Sequence, residues 1–98
     1  MERLNEEKIN NKLNNLTDWK LVDEKWIERQ YRFKDYLSGV RFVQEIANYA
    51  EDIKHHPLIS IDYKKVTVKL SSWQEKGLTE LDFDMAHQFE WLYEKGEK

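Results

Sequence analysis

Apolar residues in this chain change four times between helical spacing and strand alternation, and this order limits the folds that the chain can adopt. The spacing predicts a helix over 5–16, strands over 19–22 and 26–33, a helix over 35–53, strands over 58–63 and 66–72, and a helix over 79–92. Helices packed on one face of an antiparallel sheet bury all these apolar stripes in the simplest way. The sequence therefore predicts an α+β fold with a four-stranded antiparallel sheet and the order α-β-β-α-β-β-α.

Local signals mark the ends of the two longer helices. Asp35 is a predicted N-cap of the second helix, and Pro57 must end it, because the residue before a proline is disfavoured in helical conformation. Thr79, with Asp82 three residues later, has the pattern of a capping box at the start of the last helix. With 98 residues, the chain has the length of one domain, and we expect residues 1–98 to form it.

The composition argues against several classes of protein. The formal net charge is −3, and the basic residues alternate with acidic ones, so nucleic acid is not the expected partner. No apolar run reaches the roughly 18–20 residues that cross a bilayer, so no membrane span is expected. The absence of cysteine excludes disulfides, thiol catalysis and thiolate metal sites. We expect a cytoplasmic protein, because the polar, acidic first residues do not resemble a signal peptide.

The only dense group of titratable residues is the segment from Glu51 to Pro57, which contains His55 and His56 side by side. Imidazole can give or accept a proton near neutral pH, because its ordinary pKa is about 6.5. Two adjacent histidines must point in different directions, so one can face a pocket while the other reaches the same ligand from another angle. Glu51 precedes His55 by four residues and would orient that ring if the last helical turn persisted.

Structural roles are an equally good interpretation of these residues. The histidines at a helix end could simply cap free carbonyl groups, which favour a cation. Trp73, expected at the end of the fourth strand, could belong to the core or offer a flat face to a ring-shaped ligand. Asp82 is better explained as a cap than as a catalytic carboxylate, and His87 as a surface or boundary residue than as a ligand. No metal site is expected, because such a site needs three or more well-placed ligands.

A spaced set of residues across the chain resembles the signature of the pterin-4a-carbinolamine dehydratases. In order, the set is Glu51, His55-His56-Pro57, Tyr63, Trp73 and Asp82. The likeness extends to Trp19, to Phe33-Lys34-Asp35-Tyr36 and to Gly77-Leu78-Thr79. It covers nearly the whole chain from about Trp19 to Phe89, and the order of elements agrees.

The resemblance implies a specific reaction and site. Members of the family dehydrate 4a-hydroxytetrahydropterin to quinonoid dihydropterin and water, without a metal or an organic cofactor, and so support tetrahydropterin recycling. His55 and His56 match the catalytic histidine pair, with His56 expected as the more central acid–base group. The residues expected to contact the substrate are Glu51, His55, His56, Pro57, Ser72, Trp73, Gln74 and Glu75.

One position departs from the family pattern. Well-known members carry a third histidine where this chain has Trp73, and indole cannot transfer protons at neutral pH. The fold and the ligand class survive this change, whereas the full catalytic rate is in question. The alternative function is a non-catalytic module on the same fold that binds a pterin or another protein. The resemblance also implies a homodimer or a homotetramer.

Overall fold

The structure, a computed structural model, describes residues 2–96 and 98. Its elements are α1 (Glu6–Leu13), β1 (Lys20–Val22), β2 (Trp26–Arg32), α2 (Tyr36–Ile53), β3 (Leu58–Asp62), β4 (Lys65–Leu70) and α3 (Glu80–Lys95). The predicted order and the α+β class are thus confirmed. No helix within the described residues is both long enough and apolar enough to span a membrane.

The four strands form one antiparallel sheet in the order β1-β2-β4-β3. β2 and β4 occupy the centre, where Ile27 pairs with Leu70 and Tyr31 with Val66. These four side chains are fully buried and point towards the helices. The alternate residues of each strand therefore form an open face, as the alternating pattern predicted.

The helices place their apolar stripes on the other face of the sheet. The buried apolar residues of the helices include Phe42, Ile46 and Ala50 of α2 and Met85, Ala86 and Phe89 of α3. The predicted caps are also present. The side chain of Asp35 accepts a hydrogen bond of 2.8 Å from the Ser38 N–H, and that of Asp82 accepts one of 2.9 Å from the Thr79 N–H.

Three predicted element ends are wrong by two residues or more, and the end of β4 concerns the candidate site. α3 continues to Lys95 rather than to residue 92. α1 ends at Leu13 rather than at Leu16, although Leu16 is buried in the core. β4 ends at Leu70, because Ser72 leaves the ladder and pairs with Gly77 across a turn. Trp73 therefore lies in that turn and not at the end of a strand.

A partly buried carboxylate, that of Glu90, joins α3 to the sheet. Glu90 accepts hydrogen bonds from Trp19 Nε1 at 3.0 Å, Arg29 Nε at 3.0 Å and Tyr31 Oη at 2.5 Å. Burial alone would raise the pKa of Glu90, but the hydrogen bonds and the Arg29 charge outweigh burial and lower it. Burial, reinforced by this carboxylate, raises the pKa of Tyr31. We call these four side chains the Glu90 network. They hold the ion pair of Arg29 and Glu90 partly buried between the sheet and α3.

Candidate active site

The end of α2 determines where the two histidines point. Lys54 adopts the left-handed conformation, with φ 60° and ψ 38°, immediately after the last helical residue, Ile53. The His55 N–H then bonds the Ala50 carbonyl at 3.2 Å, which closes the helix end. This reversal followed by Pro57 directs the side chains of His55 and His56 to different surroundings.

His55 is anchored to the start of α3. Its Nε2 lies 2.9 Å from Oδ1 of Asp82, whose side chain is completely buried. The second carboxylate oxygen of Asp82 accepts bonds from Ser72 Oγ at 2.7 Å and from the Thr79 N–H. Because a carboxylate only accepts hydrogen bonds, Nε2 of His55 is the donor, and Nδ1 of the neutral ring remains as an acceptor.

His56 turns back over the last turn of α2. Its Nε2 lies 2.8 Å from Oε1 of Glu51, and both side chains are mostly exposed. The expectation that Glu51 would orient His55 is therefore wrong. The physical reason is the left-handed residue Lys54, which ends the helical spacing one residue before His55.

A tight turn faces the histidines. The Ser72 N–H bonds the Gly77 carbonyl at 3.0 Å, and the Lys76 N–H bonds the Trp73 carbonyl at 3.2 Å. The turn presents Trp73 with 62% of its surface exposed, although aromatic residues of this size are usually well buried. An exposed indole beside two imidazoles is suited to contact a flat ring.

These segments enclose an open cleft of about 510 Å³. Its lining residues are Lys54, His55, His56, Pro57, Leu58, Trp73, Gln74 and Glu75. The volume lies within the usual range for small-molecule sites, about 300–1,000 Å³. The cleft thus combines two imidazoles, an indole face, a cation, Lys54, and a carboxylate, Glu75.

Six of the eight residues expected to contact the substrate line this cleft, and two do not. Glu51 is not a lining residue, although its carboxylate contacts His56. Ser72 is buried, and its hydroxyl bonds Asp82 and, at 2.8 Å, Thr79 Oγ1. Glu51 therefore contacts a cleft residue, His56, and Ser72 contacts Asp82, which binds His55.

Sequence reasoning missed three features of the site. Asp82 is the predicted cap, but its other oxygen also binds His55, and the three-residue spacing from Thr79 signalled only the cap. Lys54 and Leu58 line the cleft because they flank the histidines and the proline, a signal that sequence proximity could have supplied. Among the residues that the structure describes, no three His, Asp or Glu side chains are arranged to hold a metal ion.

Comparison with known proteins adds independent information. The model of the family "Pterin 4 alpha carbinolamine dehydratase" matches residues 2–92. A protein of Picosynechococcus sp. named "Putative pterin-4-alpha-carbinolamine dehydratase" is 40% identical over 90 residues, which are 92% of this chain and 97% of that protein. A Brucella ovis protein of the same name is 39% identical over 87 residues, 88% of this chain and 90% of that protein.

Two solved structures share the fold. The crystal structure of a transcriptional coactivator/pterin dehydratase from Brucella melitensis superposes with a TM-score of 0.90 at 36% identity, over 94% of this chain and 99% of that one. A pterin dehydratase-like protein described as a RuBisCO assembly factor in the alpha-carboxysome has a TM-score of 0.68 at 19% identity, over 83% of this chain and 93% of that one, a likeness of fold alone. With a family model that spans most of the sequence and relatives near 40% identity, the chain belongs to the pterin-4a-carbinolamine dehydratase family.

Proposed function

We propose that the protein dehydrates 4a-hydroxytetrahydropterin to quinonoid dihydropterin and water, in support of tetrahydropterin recycling. The observation that carries the proposal is the pair of imidazoles, His55 and His56, that line one cleft opposite the exposed indole of Trp73. Each imidazole has one nitrogen bound to a carboxylate, which leaves Nδ1 for the substrate. The family to which the chain belongs supports the same reaction.

The elimination needs one acid and one base. The C4a–O bond breaks as the acid protonates the departing hydroxyl group, which leaves as water. The base takes the proton from the adjacent ring nitrogen, whose electron pair forms the double bond to C4a. One proton is given and one is taken, so the two imidazoles together return to their initial protonation state after exchange with solvent.

The surroundings of the two rings support different contributions of His55 and His56 to proton transfer. His56 is 62% exposed at its side chain, so it can exchange protons with bulk water between turnovers. His55 is only 16% exposed, and Asp82 holds its orientation. We therefore assign the larger share of proton transfer to His56 and a supporting share to His55.

The remaining wall residues are proposed to bind the substrate. Trp73 cannot replace a histidine in proton transfer, but its indole face can stack on a pterin, and its N–H can donate a hydrogen bond. Pro57, Gln74 and Glu75 line the same cleft. Glu51 and Ser72 contribute indirectly, through His56 and Asp82.

The test is the decay of enzymatically generated 4a-hydroxytetrahydropterin, followed by ultraviolet absorbance. The wild-type protein should accelerate the decay, and His56→Ala should reduce the acceleration by about 10²-fold or more, because it removes a proton-transfer group. His87→Ala is the matched control, since His87 is an exposed histidine on α3 outside the cleft, and it should retain the wild-type rate.

Two results would contradict the proposed function or the role assigned to His56. Equal rates for wild type and His56→Ala would contradict the role of His56. If the folded wild-type protein binds a pterin but does not accelerate the decay, the alternative of a non-catalytic pterin-binding module takes its place.

We also propose that the protein forms a homodimer or a homotetramer. β3 is an edge strand, and its free backbone groups can pair with another chain. Leu58 and Ile61 on this strand are 44% and 37% exposed, and Leu37 at the start of α2 is 60% exposed. Ile61→Lys should shift the mass measured by light scattering to a smaller species, whereas Trp91→Lys on α3 should not.

A further inference from the structure

The cleft continues past Trp73 onto the open face of the sheet. The ring of Trp26 meets that of Trp73 edge to face, with centroids 5.7 Å apart and an angle of 79°. Trp26 begins β2 and precedes the fully buried Ile27, so its side chain lies on the face opposite the helices. Two indoles thus extend the wall of the cleft over the sheet.

A cation completes this extension. Lys69 lies between the fully buried Val68 and Leu70 on β4, so it also projects onto the open face. Its Nζ lies 5.4 Å from the centroid of the Trp26 ring. In the sheet, Lys69 pairs with Leu58, which itself lines the cleft. We call Trp73, Trp26 and Lys69 together the indole shelf.

Lys69 lies opposite one carboxylate in the sheet but forms no ion pair with it. Glu28 on β2 is its cross-strand partner, but the Glu28 carboxylate lies 3.5 Å from Lys20 Nζ, and only 15% of the Glu28 side chain is exposed. Within residues 2–96 and 98, no carboxylate forms an ion pair with Lys69. An indole face attracts a cation but leaves its positive charge intact. The shelf therefore offers an aromatic surface that ends in an ammonium group with no ion-pair partner among the described residues.

We infer that the indole shelf binds an anionic group, a phosphate or a carboxylate, at the end of the side chain of the pterin that occupies the cleft. This inference rests on the proposed function, because the ring system in the cleft supplies the side chain. A side chain that leaves the cleft beside Trp73 passes over Trp26 and meets Lys69. A neutral side chain gains only the aromatic contact, whereas an anionic one gains the ion pair as well.

The experiment measures the affinities of three stable probes by isothermal titration calorimetry. The probes share one ring system: 6-hydroxymethylpterin, which is neutral in its side chain, its phosphate ester, and pterin-6-carboxylate. We expect the preferred anionic probe to bind about fivefold more tightly than the alcohol at low salt, which corresponds to about 1 kcal/mol for a partly exposed ion pair. The preference should shrink at high salt, because salt screens such a pair.

Two variants test whether Lys69 causes the preference for the anionic probes. Lys69→Met should reduce the affinity for the anionic probe to that for the alcohol, with Lys69→Gln as the substitute if the first variant does not fold. Lys65→Met is the matched control, because Lys65 lies on the same face of the same strand but at its opposite end, where it pairs with Arg32 and Asp62. It should keep the wild-type preference, and circular dichroism checks that each variant is folded.

Every outcome has a distinct meaning. Tighter binding of both anions supports recognition of charge in general, and tighter binding of one identifies a phosphate or a carboxylate as the natural group. Equal binding of all three probes overturns the inference but leaves pterin binding intact. A preference that persists in the Lys69 variants also overturns it. Failure of all three probes to bind overturns the inference, and the decay assay then decides the proposed function separately.

Discussion

Nε2 of His55 lies 2.9 Å from the buried carboxylate of Asp82, so a histidine just beyond the end of α2 is held by the first turn of α3. The same carboxylate caps α3 and accepts the Ser72 hydroxyl. One buried side chain thus links helix capping, the turn that carries Trp73 and the orientation of a candidate catalytic ring. Perturbing Asp82 should therefore affect stability and activity at once.

Asp82→Asn should lower the dehydration rate by about 10²-fold, because the imidazole loses the carboxylate that orients and stabilises it. Stability should fall by about 1–2 kcal/mol, because the carboxylate also caps α3. The pH dependence of the rate, measured on folded protein, should change with the variant. Asp84→Asn, which changes an exposed carboxylate on the same helix, is the control, and its pH profile should match wild type. If Asp82→Asn lowers stability but leaves the pH profile unchanged, its role is structural only.

Glu51→Gln should have a much smaller effect than Asp82→Asn. The contact between Glu51 and His56 is exposed on both sides, and such pairs contribute about 1 kcal/mol or less. We expect a rate reduction of about fivefold at most in low salt and less in high salt. Rates measured across ionic strength check this. A loss as large as that of His56→Ala would mean that Glu51 takes part directly.

The Glu90 network predicts a loss of stability in acid. The pKa of Glu90 is lowered in the fold, so its contribution is complete above the unfolded pKa of about 4.3 and is lost as the pH falls through the lower folded pKa. Glu90→Gln should cost about 2 kcal/mol at pH 7 and should show a shallower decline below pH 4. Urea unfolding at several pH values measures both. Glu94→Gln, which changes an exposed carboxylate on the same helix, should behave like wild type.

Lys54→Gly should stabilise the protein by about 1 kcal/mol, because a non-glycine residue in the left-handed conformation is disfavoured by about that amount. Lys54→Ala keeps the Cβ atom and should give no comparable gain. Thermal unfolding of the two variants tests the difference. Equal stabilities would show that the turn relaxes around a side chain without cost.

Local patterns predicted most of the architecture. The alternation of Val66, Val68 and Leu70 assigned the buried face of β4, and Asp35 and Thr79 marked the starts of α2 and α3. Pro57 correctly implied that α2 ends before it. These features depend on residues only a few positions apart, and for that reason they can be predicted from the sequence.

The partners within the candidate site were less predictable. The sequence alone grouped His55 with His56 and, by resemblance, added Trp73. It assigned Glu51 to the wrong ring, since the left-handed turn at Lys54 has no clear sequence signal, and it placed Trp73 in a strand that ends earlier.

By itself, the sequence determined the order of elements, the faces that each buries and the segments that carry the candidate chemistry, because hydrophobic periodicity and capping act over a few residues. Only the tertiary structure decided that Asp82 binds His55, that Trp26 extends the wall formed by Trp73, and that Lys69 stands beside it. These contacts join residues distant in the chain. They exist because the sheet and α3 pack in one particular geometry, which no local pattern encodes.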